Sequence, residues 1–530
     1  MKRRDVLKSM GAVAASSALG ACRVAAGSEV AAEQQRAQRP NILVFLTDDH
    51  GQWLQQAYGN SEVHTPNMSR IARNGVLMRN AFTTCPVCSP ARASFFTGRM
   101  PSQHGIHDWL EESVHAYDYP WLKGQTLISE PLKDVGYHTG LVGKWHCGEG
   151  REPHRGFDYW FSYWVSQRPH RGGQDFSDNG KELHEEGFQS PFLTERAIEF
   201  LHSHYNDKAL AEKPFFLFVG YVDTHSPHTQ MPDDLVAEYK EATFRDIPCE
   251  KFLPVHGTAI TGVSSDPKVE RTKHEEYYAS ASSVDREVGK VLDELESMGK
   301  LEDTLVVYTG DHGLNAGQHG IWEKGNGTVP QNFFEESIRI ACAISWPAGG
   351  IACNLESELP INHCDTFQTL LEIGGAVPDA ELAGKINSPG RSYLGQLRGE
   401  PSTKWKDSKQ KDSEWKDSVI LEYGNARMIR KDSYKLILRY PFEGVNFPNE
   451  LYDLKADPRE TTNLYEEPQQ AQRIKDLTAG IDEFFAKYTV PGHSGLDLAQ
   501  QPMATPQSPW LRAVSMQKAK GAAGEGGKTP

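Results

Sequence analysis

Residues 40–51 read "PNILVFLTDDHG". The run Ile42 to Leu46 is of strand length, apolar throughout, and followed by two acids, Asp48 and Asp49, the pattern of a buried parallel strand that delivers polar side chains at its C-terminal end. In open α/β sheets that end is where ligands bind. The same grammar returns in "HTGLVGKWH" (138–146), "PFFLFVGYVDTH" (214–225) and "DTLVVYTGDHG" (303–313). Between these runs lie helix candidates. In "SSVDREVGKVLDELESMG" (282–299), Val284, Val288, Val291, Leu292 and Leu295 keep helical spacing and a glycine stands at the stop. The alternation predicts an α/β fold over 39–400, a large and mostly parallel sheet sandwiched by helices.

The character changes near residue 400. "KWKDSKQKDSEWKD" reads as a solvated connector, and "SVILEY", "ARMIRKDSYKLILRY" and "NELYDLKADPRETTNL" read as short strands with turns. A smaller α+β subdomain with an antiparallel sheet is expected over 401–495, with one helix at about 468–487. The tail 496–530, rich in Gln, Pro, Ala and Gly, reads as an extended arm ending in disorder.

The 530 residues carry 56 Lys and Arg against 71 Asp and Glu, a net charge of −15, which argues against a nucleic-acid partner and offers no basic patch to an anionic membrane. An anionic substrate would have to be captured locally. The first 22 residues have a Lys2-Arg3-Arg4 head, a weakly apolar run and a small-residue exit, the layout of an export signal. The paired arginines resemble a twin-arginine signal, and Leu19-Gly20-Ala21-Cys22 resembles a lipobox, in which Cys22 would carry a lipid anchor. Residues 23–38 read as a flexible linker, and the mature protein is expected in the periplasm or on the cell surface. Such a compartment would allow one or two bridges among Cys147, Cys249, Cys342, Cys353 and Cys364.

The chemistry concentrates in "TTCPVCSPARASFFTGR" (83–99). A Cys-x-x-Cys by itself suggests a redox pair or half a zinc site, but there is no second close pair of cysteines and no thioredoxin-like context. Pro90 suits the first turn of a helix, which places Cys88 at or before its N-terminus, where free N–H groups favour an anion.

The run Cys88-Ser89-Pro90-Ala91-Arg92, continued by Thr97-Gly98-Arg99, resembles the signature of the formylglycine-dependent (type I) sulfatases of the alkaline phosphatase-like superfamily. The resemblance covers most of 40–400. It implies that Cys88 is oxidised by a formylglycine-generating maturation enzyme to an aldehyde whose hydrate is the nucleophile, that Arg92 holds that group, and that Cys85, outside the signature, is a packed thiol. By the same resemblance Asp48, Asp49, Asp311 and His312, with residue 88, would bind a divalent cation, usually calcium, with magnesium or another divalent ion as the alternative. Many relatives have Asn where this chain has His312. Lys144 and His146 would flank the nucleophile, His225 would be the general acid, and Lys324 would grip the sulfate. His104, His107, Asp108, Trp109, His228, Arg168 and Arg171 are substrate-contact candidates for a sugar or an adjoining anion. The expected function is an exported sulfatase acting on a sulfated carbohydrate. Alternatives are an arylsulfatase on phenolic esters, a phosphonate monoester hydrolase or phosphodiesterase of the same superfamily, and a non-catalytic glycan-binding lipoprotein.

Overall fold

The computed structural model describes residues 39–525 apart from 165–171, 229, 249 and 401–417. The export signal, the linker, the 401–417 connector, Arg168 and Arg171 therefore lie outside the described residues.

Ten strands form one sheet: β1 (Asn41–Thr47), β2 (Val76–Met78), β3 (His138–Gly143), β4 (Tyr159–Tyr163), β5 (Gln174–Asp178), β6 (Lys181–Glu185), β7 (Phe215–Gly220), β8 (Thr304–Gly310), β9 (Cys342–Ser345) and β10 (Leu355–Ser357), in the order β10-β2-β9-β8-β1-β7-β3-β4-β5-β6. Strands β8, β1, β7, β3 and β4 run parallel in the middle, and β9 and β5 introduce the antiparallel pairs towards the edges. All seven residues of β1 are buried. Ile42, Val44 and Leu46 enter one apolar cluster while Leu43 and Phe45 enter another, so both faces of the sheet are covered, which is why the sequence of β1 does not alternate.

The flanking helices are α1 (Pro66–Arg73), α2 (Cys88–Thr97), α3 (Gln189–Asn206), α4 (Pro267–Ser297) and α5 (His363–Ile373). Helices α2 and α5 pack on the face of Ile42, and α1, α3 and α4 on the face of Phe45. Helix α4 begins 15 residues before the spacing-based reading, because Asp266 caps it through the Lys268 amide (2.9 Å) and Pro267 fills its first turn ahead of the apolar stripe. No described helix is long and apolar enough to cross a membrane.

Strands β11 (Ser418–Tyr423), β12 (Ala426–Lys431), β13 (Tyr434–Arg439) and β14 (Glu450–Asp453) form an antiparallel meander. Helix α6 (Ala471–Tyr488) covers one face of it through Leu477, Ile481 and Phe485. The other face closes on the main domain through Val87, Phe333 and Tyr423.

Two expectations change here. The tail is not an extended arm: α7 (Pro509–Glu525) is a helix, with Trp510, Ala513 and Val514 buried in the cluster that joins the two domains. Its composition hides three apolar residues at i, i+3 and i+4, enough to seat one helical face. The bridge expectation narrows: Cys353 is disulfide-bonded, whereas Cys147, Cys342 and Cys364 are free and buried and behave as small apolar side chains.

Candidate active site

Four neighbouring parallel strands end at one place. Pairing of Thr47 with Gly310 sets Asp48-Asp49 beside Asp311-His312, and pairing of Gly143 with Gly220 sets Lys144 beside the 221–225 loop. The last pairing is close: a Cβ on Gly143, whose φ is +100°, would stand 2.1 Å from the Gly220 carbonyl oxygen. Only glycine allows that approach, and the Lys144 amide donates to the same carbonyl (2.8 Å). Helix α2 starts at Cys88 after an extended Val87 with no side-chain cap, so its free N–H groups are left for the site.

The side chains meet as a buried charge cluster. Arg92 donates to Asp311 Oδ2 (3.0 Å) and to the Lys144 carbonyl (2.7 Å), and its Nη2 lies 3.5 Å from Asp48 Oδ2. Lys144 pairs with Asp48. Lys324 donates to Asp49 Oδ1 (2.5 Å) and reaches Cys88 Sγ at 3.4 Å, while His312 Nε2 reaches the same sulfur at 3.3 Å. His225 Nε2 stands 3.9 Å from Asp49 Oδ2. His146 donates from Nε2 to the Leu110 carbonyl (3.2 Å), which leaves Nδ1 as an unpartnered acceptor among the described residues.

Electrostatics follow from burial and pairing. Burial alone would raise Asp48, but Lys144 and then Arg92 outweigh it and hold the carboxyl well below the ordinary range. Lys324 and His225 do the same for Asp49. Asp311 is raised, by burial first and by the Asp48 charge second. Burial, aided by Asp48, pushes the Cys88 thiol well above its usual value, so as a thiol it stays un-ionised. Burial lowers His225 to about 4 and drops His146 well below its usual value, with Lys144 adding to the second shift.

The donor set fits a divalent cation. Ligand atoms of Asp48, Cys88, Asp311 and His312 lie within 4.8 Å of one another, as do those of Asp48, Asp49, Cys88 and His225. Asp48 Oδ1 and Asp49 Oδ2 are buried and accept no hydrogen bond among the described residues. His312 commits Nδ1–H to the Gly313 carbonyl (2.9 Å), so Nε2 turns its lone pair toward Asp49 Oδ1 (3.3 Å) and Asp311 Oδ1 (3.5 Å). Acceptors facing one another in a dry site need a proton or a cation between them, and a hard cation prefers such oxygens.

A family model described as "Sulfatase" matches residues 40–376, and one described as "N-sulphoglucosamine sulphohydrolase, C-terminal" matches 317–487. The chain belongs to the sulfatase family. It is a sulfuric ester hydrolase, with the alkaline phosphatase-like fold. The sulfatase is 26% identical over 527 residues to an N-acetylglucosamine-6-O-sulfatase of Bacteroides thetaiotaomicron, covering 86% of this chain and 88% of that one. A structure solved in complex with its substrate D-glucosamine-2-N,6-O-disulfate superposes with a TM-score of 0.69 at 22% identity, over 85% of this chain and 98% of that one. The phosphonate monoester hydrolase of Agrobacterium radiobacter shares the fold at a TM-score of 0.61 and 20% identity, over 85% and 96% of the two chains.

In this sulfatase the cluster opens into a cavity of about 520 Å³ that Cys88, His146, His225 and Lys324 line from below. Of the substrate candidates, Trp109 lines it. His104, His107 and Asp108 do not: the chain after α2 turns inward there, and all three are buried. His104 meets Ser94 (3.1 Å), His107 the His493 carbonyl (2.7 Å), and Asp108 the Tyr423 hydroxyl (2.9 Å), so together they tie α2 and the chain after it to the C-terminal subdomain. His228 packs at a tilt against Tyr277 (4.6 Å) and Trp322 (5.6 Å) and is mostly buried. Cys85 is packed with Phe82 and Val87.

Other lining residues had no signal in the sequence. Tyr117 stacks on His146 at 6.0 Å, Glu111 and Glu323 supply acids, and Gln507 and Arg512 arrive from the tail. They lie outside any strand end or motif, and chain folding alone brings them to the cavity.

Proposed function

We propose that this sulfatase removes sulfate from a sulfated carbohydrate, using a formylglycine made from Cys88 and one divalent cation, calcium in the first instance. The observation that carries the reading is Cys88 at the start of α2, within 3.4 Å of both Lys324 and His312, beside three buried carboxylates and at the floor of a cavity. The carbohydrate class is supported by the names of the relatives, which act on or bind sulfated glucosamines. The N-terminal layout supports export to the periplasm or cell surface, with Cys88 matured before or during transit by a formylglycine-generating enzyme.

When present, the hydrated aldehyde supplies the attacking oxygen and the cation lowers the cost of its negative charge. The formal charges of Asp48, Asp49 and Asp311 cancel those of Arg92, Lys144 and Lys324, and the histidines rest neutral at His225 and His146. A dication would therefore leave this buried cluster net positive, as an anionic ester requires of the groups that meet it. Lys324 and Lys144 meet the sulfate oxygens. His225 gives its Nδ1–H to the Ser226 carbonyl (2.5 Å), so the resting neutral ring presents Nε2 without a proton, and His225 serves the departing alcohol as general acid only after Nε2 has taken one up. His146 Nδ1, free to accept, takes a proton from a hydroxyl on residue 88. His312 and Arg92 hold the cluster in place.

The test is free sulfate released from a pool of sulfated oligosaccharides by protein co-expressed with a formylglycine-generating enzyme, against its Cys88→Ala form. Mass spectrometry verifies the aldehyde and elemental analysis the cation. Release that disappears in Cys88→Ala is the expected result. Hydrolysis of phosphonate esters instead, or of phenyl sulfates but no sugar, would overturn the substrate assignment.

A further inference from the structure

The tail places on the cavity wall a cation to which the proposed reaction assigns no role. Arg512 sits in the first turn of α7, donating from Nε to the Gln507 carbonyl (2.8 Å) and from Nη2 to Gln507 Oε1 (2.8 Å). Those two bonds fix the plane of the guanidinium and leave Nη1 unbonded among the described residues, and no described carboxylate pairs with Arg512. A surface arginine is ordinarily mobile; this one is preorganised.

The segment that carries it is built into the wall. The Glu111 amide donates to the Ala504 carbonyl (3.0 Å), Thr505 donates to Glu111 Oε2 (2.5 Å), and Ser508 helps hold Asp108. Trp510 stacks edge-on against Tyr423 at 5.7 Å, over Gly424, where a Cβ would come within 2.1 Å of the indole. Glu111, an acid on this wall, spends both oxygens on the Thr505 and Ser113 hydroxyls. On the floor, Lys324 is already paired with Asp49. The cavity thus has a committed cation where the sulfate ester reacts and an uncommitted one where the rest of the substrate must lie.

Resting on the sulfatase reading above, we infer that Arg512, oriented by Gln507, is a specificity residue that binds a second anionic group of the substrate, a sulfate or a carboxylate, on the sugar bearing the scissile ester or on its neighbour. A planar guanidinium with a free edge matches either group.

The experiment compares kcat/KM of the matured enzyme on three probes: a monosulfated hexosamine, the same sugar with a second sulfate, and a monosulfated hexosamine joined to a uronic acid. Variants are Arg512→Gln, Arg512→Lys and Gln507→Ala, and binding of the same probes to Cys88→Ala protein is followed by calorimetry with and without Arg512→Gln. Arg512→Gln should lower kcat/KM for at least one doubly anionic probe roughly tenfold more than for the singly sulfated one, as expected on losing a charge-assisted bond. Arg512→Lys and Gln507→Ala should fall between. Which probe suffers distinguishes a sulfate from a carboxylate. Equal losses on all three, or none, would overturn the inference. If the verified aldehyde form turned over no probe, the sulfatase-on-sugar reading would fail instead, and the calorimetric loss in Arg512→Gln would still decide whether this arginine binds the second anion.

Discussion

Arg92 has no exposed surface and commits its guanidinium to two acids and a carbonyl. Arg92→Ala would leave buried charges uncompensated and should cost about 3–5 kcal/mol of stability, read by urea denaturation; Arg92→Lys keeps the charge without the fork and should recover only part. Lys324 faces the opposite demand, since its partners are Asp49 and Cys88, the proposed nucleophile position. Lys324→Ala should lower kcat by roughly 10²–10³-fold, the usual effect of removing one group that meets developing charge. These residues were legible in the sequence because each follows an apolar run or lies in a dense motif. His104, His107 and Asp108 were read as substrate contacts for the same reason, closeness to the motif, and the structure turns them inward. Adjacency in sequence says nothing about which way a chain turns once a helix has ended.

At the scale of elements, α5 buttresses the site: His363 donates to the Asp311 carbonyl (2.9 Å), and Asn362 and Asp365 cap the helix reciprocally. Burial raises the Asp365 carboxyl to about 7, although it accepts from the Asn362 and Arg391 amides (2.8 Å each). Because the folded value is the higher one, its stabilising protonation is complete below the unfolded carboxylate range and is lost as pH rises through about 7. Between about pH 4 and 7 the wild type should lose up to roughly 1.4 kcal/mol per pH unit from this group, a slope that Asp365→Asn abolishes in denaturant titrations. Gly143 is a second element-scale constraint. Gly143→Ala should spread the ends of β3 and β7, displace Lys144 and reduce activity more than stability, visible as a kcat loss with a small change in Tm. The strands were legible as buried apolar runs; the first turns of α4 were not, since a polar, capped start lacks the apolar stripe on which the reading depended.

For the whole molecule, α7 closes the seam between the two sheets. Trp510→Ala should cost about 3–5 kcal/mol, and a chain ending at residue 503 should lose that packing and the Arg512 side of the cavity together, giving a lower Tm and a higher KM. Chelation is expected to lower Tm as well, by relieving the folded state of an ion that the orphaned Asp48 and Asp49 oxygens favour, and added calcium should restore it. The sequence by itself determined the α/β class, the strand ends that carry the acids and the motif around Cys88 that marks the family, because hydrophobic runs and short motifs are local properties. Only the tertiary structure decided which histidines face the cavity, that the three apolar residues of α7 have a partner, and that Arg512 lines the cavity. Those depend on contacts between residues hundreds of positions apart, and no local pattern encodes the surface against which a short, weakly apolar segment will fold.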